Sequence, residues 1–262
     1  MSRRLAGFLA AASLAGSALA AEQVASYRGA GEAARLFEQY DNDGYSLAVA
    51  PVAGGGVELS VRVSDSPLES RAPFPTRLPR DRSLPADGER DAFAAGLAEG
   101  AKTQADAVER ILTGMAALVR YDPDRVRRQE PSAVFHERRA NCVGLSELAV
   151  DLLRRVGISA RTVQGILKGE PGSAGYDAAI GGAYHRWIEV HYPDRGYVFS
   201  DPSASINGVD ARYLPFGRRA YSKPKELRVA PLSFSGLLTY RTIRAGSARL
   251  LLRATEPVNG KR

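Results

Sequence analysis

Hydrophobic and polar positions along this 262-residue chain fall into three kinds of pattern. Val57, Leu59, Val61 and Val63 alternate with Glu58, Ser60, Arg62 and Ser64, the period of two expected of a strand with one buried face. Gly54-Gly55-Gly56 joins this strand to an earlier one near 45–52, which predicts a hairpin. Residues 32–40 predict a short helix closed by Asp41-Asn42-Asp43-Gly44. That segment is a turn and not a calcium loop, because the later carboxylate ligands are missing. The second pattern has helical spacing. Val108, Ile111, Leu112, Met115 and Val119 share one face, with Thr103 and Asp106 as a start signal and Asp122-Pro123 as a stop. Leu145, Leu148, Ala149, Leu152, Leu153 and Val156 form a second stripe, with Asn141 as N-cap and Gly157 in the place of a left-handed C-terminal cap. The third kind has no period. Residues 66–90 hold five of the fifteen prolines and read as a linker or an extended surface arm.

Further along, Tyr-His-Arg-Trp-Ile-Glu-Val-His-Tyr from 184 reads as a strand with sizeable side chains on both faces. Pro193-Asp194-Arg195-Gly196 is a turn, and Tyr197–Ser200 returns as a strand stopped at Asp201-Pro202. Two short strands are expected at 237–244 and 248–254 around Ala245-Gly246-Ser247, available to pair with the N-terminal hairpin.

Arg3 and Arg4 precede an uncharged stretch from 5 to 20 that ends in Ala18-Leu19-Ala20, the layout of a secretory signal peptide. Sixteen Ala-rich residues are too few to span about 30 Å of hydrocarbon. The expectation is a periplasmic or secreted protein with no stable membrane insertion after cleavage. Composition is ordinary for a globular chain, 44% hydrophobic and 25% charged, which excludes disordered, collagen-like and polytopic membrane classes. The formal charge of +7 falls to +5 without Arg3 and Arg4, and its signs are interleaved, so nucleic acid is not an expected partner.

One cysteine changes the picture most. Oxidising compartments use cysteines in pairs, and Cys142 has no partner with which to form an intramolecular bridge. It falls in the first turn of a helix, just ahead of the buried stripe, where N–H groups and the helix dipole favour a thiolate and can hold an oxyanion. His185 and Asp201 have indices summing to 386, which would set them opposite each other across a hairpin centred on Pro193, with a slip of one or two residues leaving them diagonal neighbours. A carboxylate beside a histidine fixes its tautomer and stabilises its cation, as a cysteine's base requires. His136 and His191 lie apart from this set, their spacing matches no compact ligand pattern, and no metal or other cofactor is expected.

These residues resemble the transglutaminase-like core, a branch of papain-like cysteine enzymes. The resemblance rests on Cys142 with its helix, on Leu153-Arg154-Arg155-Val156-Gly157-Ile158-Ser159-Ala160-Arg161, on His185, Trp187, Glu189 and Val190, and on Asp201-Pro202, in the family's order. It implies an α+β fold in which the helix bearing the cysteine packs on an antiparallel sheet. The layout expected is a signal peptide (1–20), a helix and β-hairpin region (21–65), the Pro-rich arm (66–90), the core (91–215) and a C-terminal β-hairpin extension (216–262). It further implies Cys142 as nucleophile, His185 as general base and acid, and Asp201 as orienting carboxylate. Ala140 and Ser159 depart from the family's Gly and Pro at those places. Tyr121 is the candidate for a side-chain oxyanion donor but is not assigned, and Arg161 is expected to pair with Glu189.

The activity implied is attack of the Cys142 thiolate on an amide of a protein or peptide, with the acyl group then passed to water or to an amine. The rival reading is a non-catalytic scaffold that binds peptide or cell-wall polymer. The arm at 66–90 would either cover the groove or serve as a passive linker. No feature of the sequence fixes an oligomeric state.

Overall fold

The computed structural model describes residues 22–64, 68–75, 81, 83–123, 128–218 and 224–235. The stretch read as a signal peptide and the strands expected at 237–244 and 248–254 lie outside the described residues. The elements run β1 (Glu22–Gly31), α1 (Ala33–Leu36), β2 (Tyr40–Asn42), β3 (Tyr45–Pro51), β4 (Val57–Ser64), α2 (Gly88–Ala98), α3 (Gln104–Leu118), β5 (Arg120–Tyr121), α4 (Pro131–Glu137), β6 (Arg139–Ala140), α5 (Cys142–Arg155), β7 (Ala160–Lys168), β8 (Gly182–Tyr192), β9 (Gly196–Ser200), β10 (Tyr213–Pro215) and β11 (Leu227–Ser235).

The molecule has three layers because the middle one, a sheet ordered β10-β7-β8-β9, is apolar on both faces. On one face Ile188, Val190 and Val198 pack with the stripes of α3 and α5, among them Ile111, Met115, Leu145, Leu148 and Leu152, all buried. On the other face Val163, Ile166, Trp187 and Phe199 meet Ala25, Tyr27, Leu47, Leu59 and Val61 from a second sheet ordered β11-β1-β4-β3-β2. The fold is therefore mixed helix and sheet, with α5 against an antiparallel sheet. Among the described residues no helix is long and apolar enough to cross a membrane.

Helix α5 begins and ends as its sequence dictates. Asn141 accepts from the Val143 N–H at 2.9 Å, satisfying one orphan donor of the first turn. At the other end Gly157 sits at φ +77°, and Gly157 and Ile158 donate to the carbonyls of Arg154 and Leu153, the paired bonds of a Schellman cap. Thr103 caps α3, accepting from the Asp106 N–H at 3.2 Å.

Several expectations give way where pairing overrides local preference. The helix expected over 32–40 is only α1, since Phe37 is already extended and Tyr40 opens a strand that pairs with β3 across the 41–44 turn. Helix α3 ends at Leu118, short of Asp122-Pro123, because Val119 is extended and β5 forms a parallel pair with β6. Strand β1 gives no alternating signal, as its buried face is Gln23, Ala25, Tyr27 and Gly29. Its partner from the C-terminal region is β11, upstream of the strands expected there.

Helix α2 starts at Gly88, inside the stretch read as an arm, with Asp87 as its cap. The described part of the arm docks away from Cys142. Asp194, in the β8–β9 turn, accepts from Ser70 Oγ at 2.8 Å, Arg71 N at 2.7 Å and Ala72 N at 3.1 Å. This turn is the opposite end of β8 from His185, so Ser70, Arg71 and Ala72 strap the hairpin tip, Asp81 pairs with Arg154 at the far end of α5, and no described arm residue lines the thiol's cleft.

Candidate active site

The three side chains singled out in the sequence come together at the N-terminus of α5 and the open edge of β8. The β8–β9 register pairs Ile188 with Ser200, Val190 with Val198 and Tyr192 with Gly196, an index sum of 388. The hairpin is thus centred on Asp194, two residues from the register expected, because Gly196 at φ +77° closes a three-residue turn. His185 and Asp201 are diagonal and not directly opposed. They nevertheless meet, with His185 Nε2 2.6 Å from Asp201 Oδ2. The ladder ends at Ser200, and Asp201 leaves it in a tight turn whose ends pair with Ser205.

The Asp201 carboxylate is almost completely buried and fully engaged. Oδ1 accepts from the Ser203 N–H at 2.8 Å and its hydroxyl at 2.6 Å, while Oδ2 accepts from Tyr213 Oη at 2.7 Å in addition to His185. Burial raises its pKa, but the charge and hydrogen bond of His185, with Ser203 and Tyr213, hold it below the usual carboxylate range. Burial works against the imidazolium of His185. Asp201 and then the thiol of Cys142 outweigh it and raise the histidine's pKa.

The Cys142 thiol is hydrogen-bonded to the same ring, and the Asp201 bond at Nε2 leaves Nδ1 for it. Burial raises the thiol's pKa, yet the hydrogen bond and charge of His185, together with the Arg186 main-chain N–H, bring it below its ordinary value. The Ser146 hydroxyl, one turn on, donates to the Arg186 carbonyl at 3.0 Å, so α5 is fastened to the edge of β8 at the residue whose N–H faces the sulfur.

The helix-terminal donors are fewer than the sequence implies. Val143 N–H is taken by Asn141, and Gly144 N–H donates to Gln129 Oε1 at 2.9 Å. Position 144 must be glycine, since a Cβ there would lie 2.4 Å from Gln129 Oε1, 2.8 Å from Val134 and 2.9 Å from Ala140. Ala140, the departure noted in the sequence, is fully buried in this contact.

The thiol and imidazole lie on a cleft of about 710 Å³ whose wall includes Tyr121, Val143, Leu167, Ala183 and Tyr184. It is largely apolar. The pKa of Tyr121 is pushed up to about 12, by burial first and then by the charges of Cys142 and Asp201. Sequence reasoning missed Tyr213, Ser203 and Gln129. Ser203 had a signal, the Asx turn that an Asp-Pro-Ser segment favours. Tyr213 and Gln129 had none. Arg161 pairs with Glu189 as expected. His136 is exposed on α4, and His191 packs edge-on against Tyr197 at 5.1 Å, both apart from the cleft. Among the described residues no group of three or more His, Cys, Asp or Glu is placed to hold a metal ion.

Comparison with known proteins finds the transglutaminase-like superfamily core over residues 91–202. An uncharacterized protein of Bacillus subtilis (strain 168), YebA, is 36% identical over 76 residues, a stretch covering 27% of this chain and about a tenth (10%) of that one. Among solved structures, a candidate cysteine protease from Cytophaga hutchinsonii aligns with TM-score 0.42 and 12% identity, covering 82% of this chain and 87% of that one. The periplasmic domain of TgpA from Pseudomonas aeruginosa aligns with TM-score 0.38 and 16% identity, over 71% and 88% of the two chains. The matched stretch, residues 91–202, resembles the transglutaminase-like superfamily core and holds Cys142, His185 and Asp201.

Proposed function

We propose that the protein is a cysteine acyltransferase or hydrolase of the periplasm or cell exterior that acts on amides of proteins or peptides. The observation that carries this reading is a single imidazole held between a saturated, buried carboxylate, 2.6 Å from Nε2, and a thiol of lowered pKa on an apolar cleft. The thiolate of Cys142 attacks the amide carbonyl and His185, as the imidazolium, protonates the departing amine, leaving a thioester. Water or an amine, deprotonated by the same ring, then attacks the thioester and frees the sulfur. With Val143 and Gly144 N–H already engaged, the Cys142 N–H is the helix-terminal donor for the oxyanion, and Tyr121 stands on the same cleft.

The test exposes periplasmic proteins to the protein and to its Cys142→Ala form in the presence of a tagged primary amine. Tag incorporation dependent on Cys142 identifies transfer, and new protein termini identify hydrolysis. The scaffold reading is the outcome in which neither appears and the thiol alkylates only above about pH 8, as an unperturbed thiol does.

A further inference from the structure

A second cavity, of about 480 Å³, shares no lining residue with the thiol's cleft and is lined by β7 and β8, by Glu147 of α5, by Tyr40 and by residues 216–218. Three guanidinium groups reach it, those of Arg161, Arg186 and Arg218, against the two carboxylates of Glu147 and Glu189. Each guanidinium has five donors. Arg161 gives Nε to Glu189, and Arg186 gives Nη1 to Glu147 at 2.7 Å. Arg161 Nη2 and Arg186 Nε are buried with no acceptor, and Arg218 lies 5.7 Å from the centre of the Tyr40 ring, paired with no carboxylate among the described residues. The lining therefore carries one more positive charge than negative, and two of its guanidinium nitrogens are buried without an acceptor, which buried polar atoms rarely are.

We propose that this cavity is a binding site for a carboxylate, held by Arg186 and Arg218 with Arg161 supplying positive charge behind them. A carboxylate fits better than a bulk cation or an apolar group. It supplies the missing acceptors, balances the extra charge and matches the planar fork of a guanidinium. Arg186 joins the two cavities, because its main-chain N–H faces the Cys142 sulfur while its side chain reaches this one. The carboxylate comes from one of two sources, a free small acid or an acidic side chain of a peptide. The site does not depend on the chemistry proposed for the thiol.

The experiment titrates the Cys142→Ala protein with N-acetylglutamate, and separately with a capped peptide containing one glutamate, by calorimetry at low and moderate salt. Saturable binding that weakens with salt is expected. Arg218→Gln, an exposed change that spares the fold, lowers affinity about tenfold, the value of one charge-assisted hydrogen bond. Glu147→Gln, which releases Arg186 and removes a competing charge, raises affinity. Similar affinity for the two probes identifies a free acid as the source, and tighter binding of the peptide identifies its side chain. No saturable binding in the millimolar range, or an Arg218→Gln protein that binds as the parent does, overturns the proposal. So does a Glu147→Gln protein that binds more weakly. Because the protein used lacks the thiol, failure here is separate from failure of the proposed catalysis.

Discussion

Two buried carboxylates on the middle sheet invite comparison. Glu189 lies within β8, and Asp201 just beyond the end of β9. Each is nearly inaccessible and each accepts from a tyrosine hydroxyl, Tyr40 at 2.6 Å for Glu189 and Tyr213 at 2.7 Å for Asp201. They differ in the cation they hold. Glu189 has Arg161, itself stacked 4.2 Å over Tyr197, with Asn42 at 3.2 Å. Asp201 has His185. A guanidinium keeps its proton at any ordinary pH, so the Glu189 cluster is a strap between the two sheets that cannot exchange protons. An imidazole can give its proton up, so under the proposed function the Asp201 cluster is the one able to exchange a proton with the sulfur beyond it. The same burial and nearly the same donors give a fixed support in one place and, under the proposed function, a proton-exchanging pair in the other.

The largest expected effect breaks the Asp201 side of that contrast. In His185→Ala the thiol loses the partner that lowers its pKa, and the midpoint for alkylation by iodoacetamide returns toward the ordinary thiol value of about 8.5 or above. The sign follows from which form reacts. The thiolate is the nucleophile, so a raised pKa slows alkylation at every pH below it. An alkylation profile unchanged by His185→Ala would place the two clusters on one footing and remove the imidazole from the thiol's chemistry.

The next effect is on the Glu189 side and on stability. Glu189→Ala leaves Arg161 and the Tyr40 hydroxyl without their acceptor. A buried pair broken from one side costs about 3–5 kcal/mol, and because Arg161 is 39% exposed the expectation here is about 2 kcal/mol, read as a fall of several degrees in Tm. The alkylation midpoint of Cys142 should not move. A shifted midpoint would mean that the strap and the site are one network.

The contrast also explains what could be read before the structure. The candidate site residues were legible because each lies in a local pattern with a physical cause: Cys142 between an N-cap and a buried stripe, His185 near the start of a strand, Asp201 before a proline that stops one. Helix α5 was legible at both ends because Asn141 and Gly157 act within a few residues of themselves. The supporting layer was not. Strand β1 buries Gln23, Ala25 and Tyr27, which form no hydrophobic alternation, and its neighbours β4 and β11 lie far along the chain. The 211–213 segment is pinned by Tyr27 Oη to the Ala211 carbonyl at 2.8 Å and by Tyr45 Oη to the Tyr213 carbonyl at 2.7 Å. These bonds link residues 184 and 168 positions apart, and no local rule announces them. Through them the N-terminal sheet sets the place of Tyr213, and Tyr213 holds Asp201. The two-residue error in the hairpin register had a similar origin, since the sequence marks a turn at 193–196 but not which pair closes it.

The finest test removes one hydroxyl from each cluster. Tyr40→Phe and Tyr213→Phe keep their rings, which pack 5.3 Å from Phe199 and 5.3 Å from Trp187 respectively, and each loses one buried hydrogen bond to a carboxylate. Each should cost about 1.5 kcal/mol, so the two variants are matched in denaturant midpoint. They should differ at the sulfur. Tyr213 competes with His185 for the same oxygen, Oδ2 of Asp201, so its removal leaves more of the carboxylate's charge to the imidazolium. A better-held imidazolium takes the thiol's proton more readily, and the alkylation midpoint of Tyr213→Phe should move to lower pH by less than about one unit, a rate change within tenfold. Tyr40→Phe should leave the midpoint where it is, because Arg161 cannot relay a proton. A midpoint that rises in Tyr213→Phe would show the hydroxyl serving mainly to aim Asp201, and equal shifts in both variants would erase the distinction between strap and relay.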